Sequence, residues 1–116
     1  MAARDPGLTT HVLDTARGRP AGGMAVELVR DGAVVASLAL NEDGRTDRPL
    51  LTAETFRPGA WELRFHVGAY FRALGLGDDP PFHDVVTVRV TLQAGRGHYH
   101  VPLLVSPFGY TTYRGS

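Results

Sequence analysis

The chain has 116 residues, enough for one domain that buries roughly two-thirds of its unfolded surface. Twelve basic and twelve acidic residues give a formal net charge of zero, which removes any electrostatic case for nucleic acid or a membrane surface as partner. With no cysteine, disulfides and thiol chemistry are excluded, and the 43% hydrophobic and 21% charged content places the chain in the soluble globular class. Every basic residue is Arg, a bias expected of a GC-rich genome. No apolar run is long enough to span a bilayer, and Met1–Pro6 lacks the apolar core of a signal peptide, so a cytoplasmic location is expected.

Residues 1–7 read as a flexible tail and 8–116 as a single domain. Leu8 to Asp14 predict a first strand, followed by a Gly/Pro-rich connection from Thr15 to Gly23. Met24, Val26 and Leu28 alternate with Ala25, Glu27 and Val29 as a second strand. Asp31-Gly32 is a two-residue hairpin signal leading into a third strand, Ala33 to Leu40. Asn41 to Gly44 form a turn, after which Arg45 opens a short, polar, edge-like segment; Leu50 to Gly59 read as loop. Trp61, Leu63, Phe65 and Val67 alternate with polar residues as another strand. From Gly68 to Leu76 the period changes: Tyr70, Phe71 and Leu74 suit a short helix stopped by Gly75 or Gly77. Pro80-Pro81 enforces a loop, and Val86, Val88, Val90 and Leu92 define the next strand.

The last stretch has the densest pattern. Ser106-Pro107-Phe108-Gly109 carries Pro and Gly where a type I turn prefers them, so the flanking β-rich runs predict a hairpin. Tyr99, Val101, Leu103 and Val105 share a core face, which turns His98 and His100 outward beside Pro102 and Leu104. The whole is an all-β pattern, an antiparallel sandwich of seven to eight short strands with one short helix.

Three readings of the His98/His100 pair stand side by side. They can be exposed strand residues. They can be two metal ligands, needing a third from His11 or a carboxylate. They can be a general acid and base, for which imidazole has the right proton affinity near neutrality. His66, on a strand's polar face, reads as solvated, and His83, in Pro81-Phe82-His83-Asp84, as structural. Neither Ser106 nor Ser116 sits in a GxSxG elbow, so a serine nucleophile is not indicated.

His98–Leu104 (HYHVPLL), Ser106–Tyr110 (SPFGY) and Tyr113–Ser116 (YRGS) resemble the signature of the 5-hydroxyisourate hydrolases, transthyretin-like enzymes of urate breakdown. The likeness continues in Thr10–Thr15, Gly18–Gly22 and Asp43-Gly44-Arg45, and so spans nearly the whole chain. Pro81-Phe82-His83 departs from the Phe-Pro-Glu segment of many such hydrolases and is closer to transthyretin. The resemblance implies a transthyretin-like sandwich and hydrolysis of 5-hydroxyisourate to 2-oxo-4-hydroxy-4-carboxy-5-ureidoimidazoline. It implies His11, Arg45, His100 and Ser116 as catalytic residues, and His11, Arg45, His98, Tyr113, Arg114 and Gly115 as substrate contacts. It implies no metal and no cofactor.

Those types suit direct attack of water on a cyclic amide. Arg45 can donate paired hydrogen bonds to a ring carbonyl, and a neutral imidazole can take water's proton and return it to the leaving nitrogen. Which imidazole is the base stays open; the terminal segment would hold substrate and water through Arg114, Gly115 backbone, Ser116 and the chain-end carboxylate. A site open on one face of a sandwich needs a cover, and the resemblance supplies one: a homotetramer, a dimer of dimers with sites at the subunit interface. The alternatives are a carrier of a small aromatic ligand in the same tetramer channel, or a structural adaptor. Neither accounts for the polar residues.

Overall fold

The computed structural model describes residues 5–116; part of the tail expected over 1–7, residues 1–4, lies outside them. Eight strands and one helix occur among the described residues: β1 Gly7–Asp14, β2 Arg19–Pro20, β3 Ala25–Arg30, β4 Ala33–Ala39, β5 Gly59–Phe65, α1 Val67–Ala73, β6 Val86–Leu92, β7 His98–Ser106 and β8 Gly109–Thr112. They form two four-stranded sheets, ordered β2-β1-β7-β8 and β4-β3-β5-β6. Leu8, Val12, Leu103 and Val105 from the first sheet and Val26, Leu28, Leu63 and Phe65 from the second fill the space between. All of these are at most 1% exposed, and each fully buried aliphatic or aromatic side chain stabilises the fold by about 1.5–3 kcal/mol. Among the described residues no helix is long and apolar enough to cross a membrane.

The local signals act as their chemistry requires. Asp31 (φ 51°) and Gly32 (φ 80°) supply the two positive φ angles that a tight hairpin needs between β3 and β4. β5 ends at Phe65 rather than running on through Val67, which instead opens α1. Gly75 at φ 68° stops the helix, with Gly75 N–H donating to the Arg72 carbonyl (3.0 Å) and Leu76 N–H to that of Phe71 (3.0 Å).

Three features are not visible in the pattern. β1 and β7 pair in parallel, with Leu8 beside Tyr99 and Thr9 beside His100. The two-residue β2 pairs with the end of β1 inside the Gly/Pro-rich connection. The 50–59 loop buries Leu50, Leu51 and Phe56, and Leu51 bridges to Leu8 by hydrogen bonds of 3.0 and 3.2 Å.

β7 also carries a proline although it lies between two neighbours. Pro102 has no N–H to donate, and the β7–β8 ladder runs only from Ser106 opposite Gly109 to Leu103 opposite Thr112. The Pro102 carbonyl accepts instead from the Thr112 hydroxyl (2.7 Å). Tyr113 and Arg114 leave the sheet here, and the chain returns as a single bridge between Gly115 and His100.

Asp14, fully buried at the end of β1, ties the first sheet to α1. Its carboxylate accepts from the Arg17 backbone N–H (3.0 Å), the Arg17 Nε–H (2.9 Å) and the Tyr70 hydroxyl (2.8 Å). Burial pushes this carboxyl up, but the hydrogen bonds and the Arg17 charge outweigh it and hold the pKa below the ordinary 3.8. The stability this provides is complete above the ordinary value and is lost as the pH falls through the lowered one. Asp14→Ala should therefore cost about 2–3 kcal/mol in denaturant unfolding at neutral pH, and the deficit against wild type should shrink in acid.

Candidate active site

The site grows from the outward side of β1 and β7. Because these strands run parallel in register, Thr9 faces His100, Gly7 faces His98 and His11 faces Pro102. His11, His98 and His100 are half-buried on that side, while Thr10, Val12, Tyr99 and Val101 point into the core.

A second wall comes from the turn after β4. Val12 N–H donates to the Gly44 carbonyl (2.9 Å), and Arg45 forms an isolated bridge with His11. Gly44 sits at φ 71°, and a Cβ there would lie 2.5 Å from the Val12 carbonyl oxygen, so only glycine lets the turn dock this closely. Asn41 shapes the same turn: its Oδ1 accepts from Asp43 N–H (2.9 Å) and Arg45 N–H (3.2 Å), and its Nδ2 donates to Asp47 (3.0 Å).

The third wall is the terminal segment. Gly115 N–H donates to the His100 carbonyl at 2.7 Å, and a Cβ on Gly115 would lie 2.7 Å from His100 Cδ2. The three walls enclose a cleft of about 480 Å³ bordered by Thr9, Arg45, Asp47, Arg48, His98, His100 and Ser116. The Arg45 and Arg48 guanidinium groups there can donate paired hydrogen bonds to carbonyl oxygens of a ligand, beside the Asp47 carboxylate and the chain-end Ser116.

His11 is set beside Arg45, and its pKa lies below the ordinary 6.5. Burial is the larger cause and the Arg45 charge the second; hydrogen bonding to the Asp43 backbone and the Asp43 charge act the other way. His11 is thus neutral at physiological pH. Its imidazole should titrate by NMR below 6.5, and Arg45→Gln should raise the midpoint part of the way, because burial remains. A midpoint at or above 6.5 in wild type would contradict this.

Of the residues singled out in the sequence, His11, Arg45, His98, His100, Gly115 and Ser116 come together. Tyr113 does not join them within one chain but borders a separate groove with Thr112, Tyr99 and Val101; Arg114 borders that groove and also a second one shared with His98, Gly115 and Ser116. The Arg114 guanidinium lies 4.1 Å from the centre of the Tyr99 ring and donates to the carbonyls of Arg96 (3.3 Å) and His98 (3.4 Å). That cation–π contact anchors the segment that carries Gly115. His66 pairs with Glu27 at 2.7 Å rather than facing solvent alone, and the His83 ring packs on Phe82 and Tyr110. Among the described residues, no group of three or more His, Asp or Glu side chains is gathered to hold a metal ion.

Two contributors went unnoticed in the sequence, Asn41 and Thr9. The Thr9 hydroxyl lies 2.8 Å from both His98 Nε2 and His100 Nδ1. A threonine alternating with His11 on one strand face was the only available signal.

Two sheets in this strand order, with a His/Arg cleft on the outward face of one, define a β-sandwich protein with a polar candidate site. The chain belongs to the HIUase/Transthyretin family, whose profile matches residues 8–115. It is 52% identical over 115 residues to the 5-hydroxyisourate hydrolase of Deinococcus radiodurans, covering 96% of this chain and 97% of that one. Its structure is similar to Klebsiella pneumoniae 5-hydroxyisourate hydrolase, with a TM-score of 0.83, 31% identity and coverage of 100% and 98% of the two chains. It is also similar to sea bream transthyretin in complex with thyroxine, with a TM-score of 0.82, 31% identity and 94% coverage of both.

Proposed function

We infer that this chain is a hydrolase that converts 5-hydroxyisourate to 2-oxo-4-hydroxy-4-carboxy-5-ureidoimidazoline in urate degradation. The observation that carries the reading is one cleft bordered by Arg45, His98, His100 and Ser116, with His11 bridged to Arg45 and Gly115 bridged to His100. Arg45 donates to the ring carbonyl and stabilises the oxyanion that forms when water attacks. A neutral imidazole takes the water proton as the new C–O bond forms, and returns it to the ring nitrogen as the C–N bond breaks. His98, Ser116 and the backbone of Gly115 hold substrate and water. Arg114 supports the site by anchoring the terminal segment on Tyr99, while Tyr113 lies in a separate groove of the same chain.

The working form in this reading is a homotetramer, a dimer of dimers in the cytoplasm, whose subunit interface closes the clefts. The open cleft and the exposed Phe82 and Phe108, with ring centres 6.1 Å apart, support it. Native mass spectrometry should give four 12.5 kDa chains, and a monomer at micromolar concentration would overturn the assembly.

The activity is tested by the ultraviolet decay of 5-hydroxyisourate, made in situ by urate oxidase, with the protein present in catalytic amount. Nothing should be fused after Ser116, because that residue borders the cleft. Decay accelerated equally with and without a chelator is the expected result. Decay at the spontaneous rate from a folded protein would overturn it and favour a carrier of a small aromatic ligand.

A further inference from the structure

We propose that Thr9 is a positioning residue whose hydroxyl joins His98 and His100 into a proton-passing bridge, making His100 Nε2 the base that meets water. The proposal rests on the hydrolase reading and adds to it a direction of proton flow and a role for His98.

The geometry is two hydrogen bonds to one oxygen. Thr9 Oγ1 lies 2.8 Å from His98 Nε2 and 2.8 Å from His100 Nδ1, and all three residues border the cleft. The arrangement is rigid: Thr9 is held on β1 and both histidines on β7, across the parallel register that sets Thr9 opposite His100. A hydroxyl has one proton and two lone pairs, so it donates to only one of the two rings. A base at His100 Nε2 requires the ring proton on Nδ1, and Nδ1–H then donates to Thr9 Oγ1. The Thr9 proton is left to donate to His98 Nε2.

Proton transfer from water then balances along the bridge. His100 Nε2 takes the water proton, Nδ1 passes its own to Thr9 Oγ1, and the Thr9 proton moves to His98 Nε2. His100 ends neutral and His98 ends as the imidazolium, one ring farther from the bond-forming oxygen. The reverse sequence returns the proton for the leaving nitrogen. The positive charge thus rests on His98 rather than on the ring that meets water.

The test compares wild type, Thr9→Val and Thr9→Ser as full chains. Valine keeps the shape and removes the hydroxyl, whereas serine restores it. Thr9→Val should lower kcat for 5-hydroxyisourate by about 10²-fold with KM changed less than about threefold, and Thr9→Ser should recover most of the loss. In parallel, ¹⁵N-histidine spectra of wild type at neutral pH should show His98 and His100 both protonated on Nδ1, a pattern that Thr9→Val loses and Thr9→Ser keeps. A Thr9→Val enzyme with unchanged kcat, or an Nε2-protonated ring at either position in wild type, would overturn the bridge. Should wild type fail to hydrolyse 5-hydroxyisourate, the proposed function falls, and the spectra alone still decide the bridge.

Discussion

Arg45→Ala should lower kcat/KM for 5-hydroxyisourate by about 10²–10³-fold, the range for removing a donor to a developing oxyanion, while leaving the unfolding midpoint unchanged. The residue is exposed and its guanidinium forms no ion pair with another described side chain, so the fold gains little from it. What holds Arg45 in place is backbone: the Asn41 and Gly44 contacts and the bridge to His11 survive truncation of its side chain. Arg45→Lys should recover less than about tenfold, because an ammonium keeps the charge but loses the planar pair of donors. Equal activity in the Lys variant would show that charge alone suffices and that the paired hydrogen bonds are not made. The measurement is steady-state kinetics beside thermal unfolding of the same preparations.

Gly115→Ala is expected to reduce kcat by about 10²-fold without unfolding the protein. Gly115 has no positive φ, so alanine meets no backbone strain. The added methyl falls 2.7 Å from His100 Cδ2, well inside contact distance, and that ring is tethered to Thr9 at 2.8 Å on its Nδ1 side. Either the imidazole turns away from Thr9 or the terminal segment lifts from its 2.7 Å hydrogen bond to the His100 carbonyl. Both outcomes disturb the relation of base, water and substrate, which tolerates little displacement. An active Gly115→Ala enzyme would mean that the terminal segment does not register against His100 during turnover. A His100 ring shift in the NMR spectrum of the variant would distinguish the first outcome from the second.

Much of the architecture was legible because each local signal had a single physical solution. Val86 to Leu92 alternates without interruption, and β6 occupies those residues. Asp31-Gly32 connects a hairpin because its two positive φ angles admit few other residues, and Pro107-Phe108 connects another because Pro107 pre-sets the φ of its turn position. The outward placement of His98 and His100 followed from the two-residue period of a strand, with the apolar residues between them committed to the core. Likeness to a known family then linked these histidines to His11, Arg45 and the terminal segment, which no periodicity connects.

The sequence by itself therefore determined most of the strands, apart from β2 and the end of β5, as well as where the hairpins fall and which face each side chain takes on its own strand. Which strand lies beside which was decided only by the tertiary structure, since alternation carries no information about neighbours. Thr9 and His100 are 91 residues apart, and only the parallel pairing of β1 with β7 makes them adjacent. The same holds for the Pro102 gap: a missing N–H matters only once β8 is the neighbour that would have accepted it. That gap lets Arg114 leave the sheet and stack on Tyr99, so that Gly115 and Ser116 return to the cleft from the far side. A strand's faces follow from short-range sterics, whereas its partners follow from burying both sheets in one core.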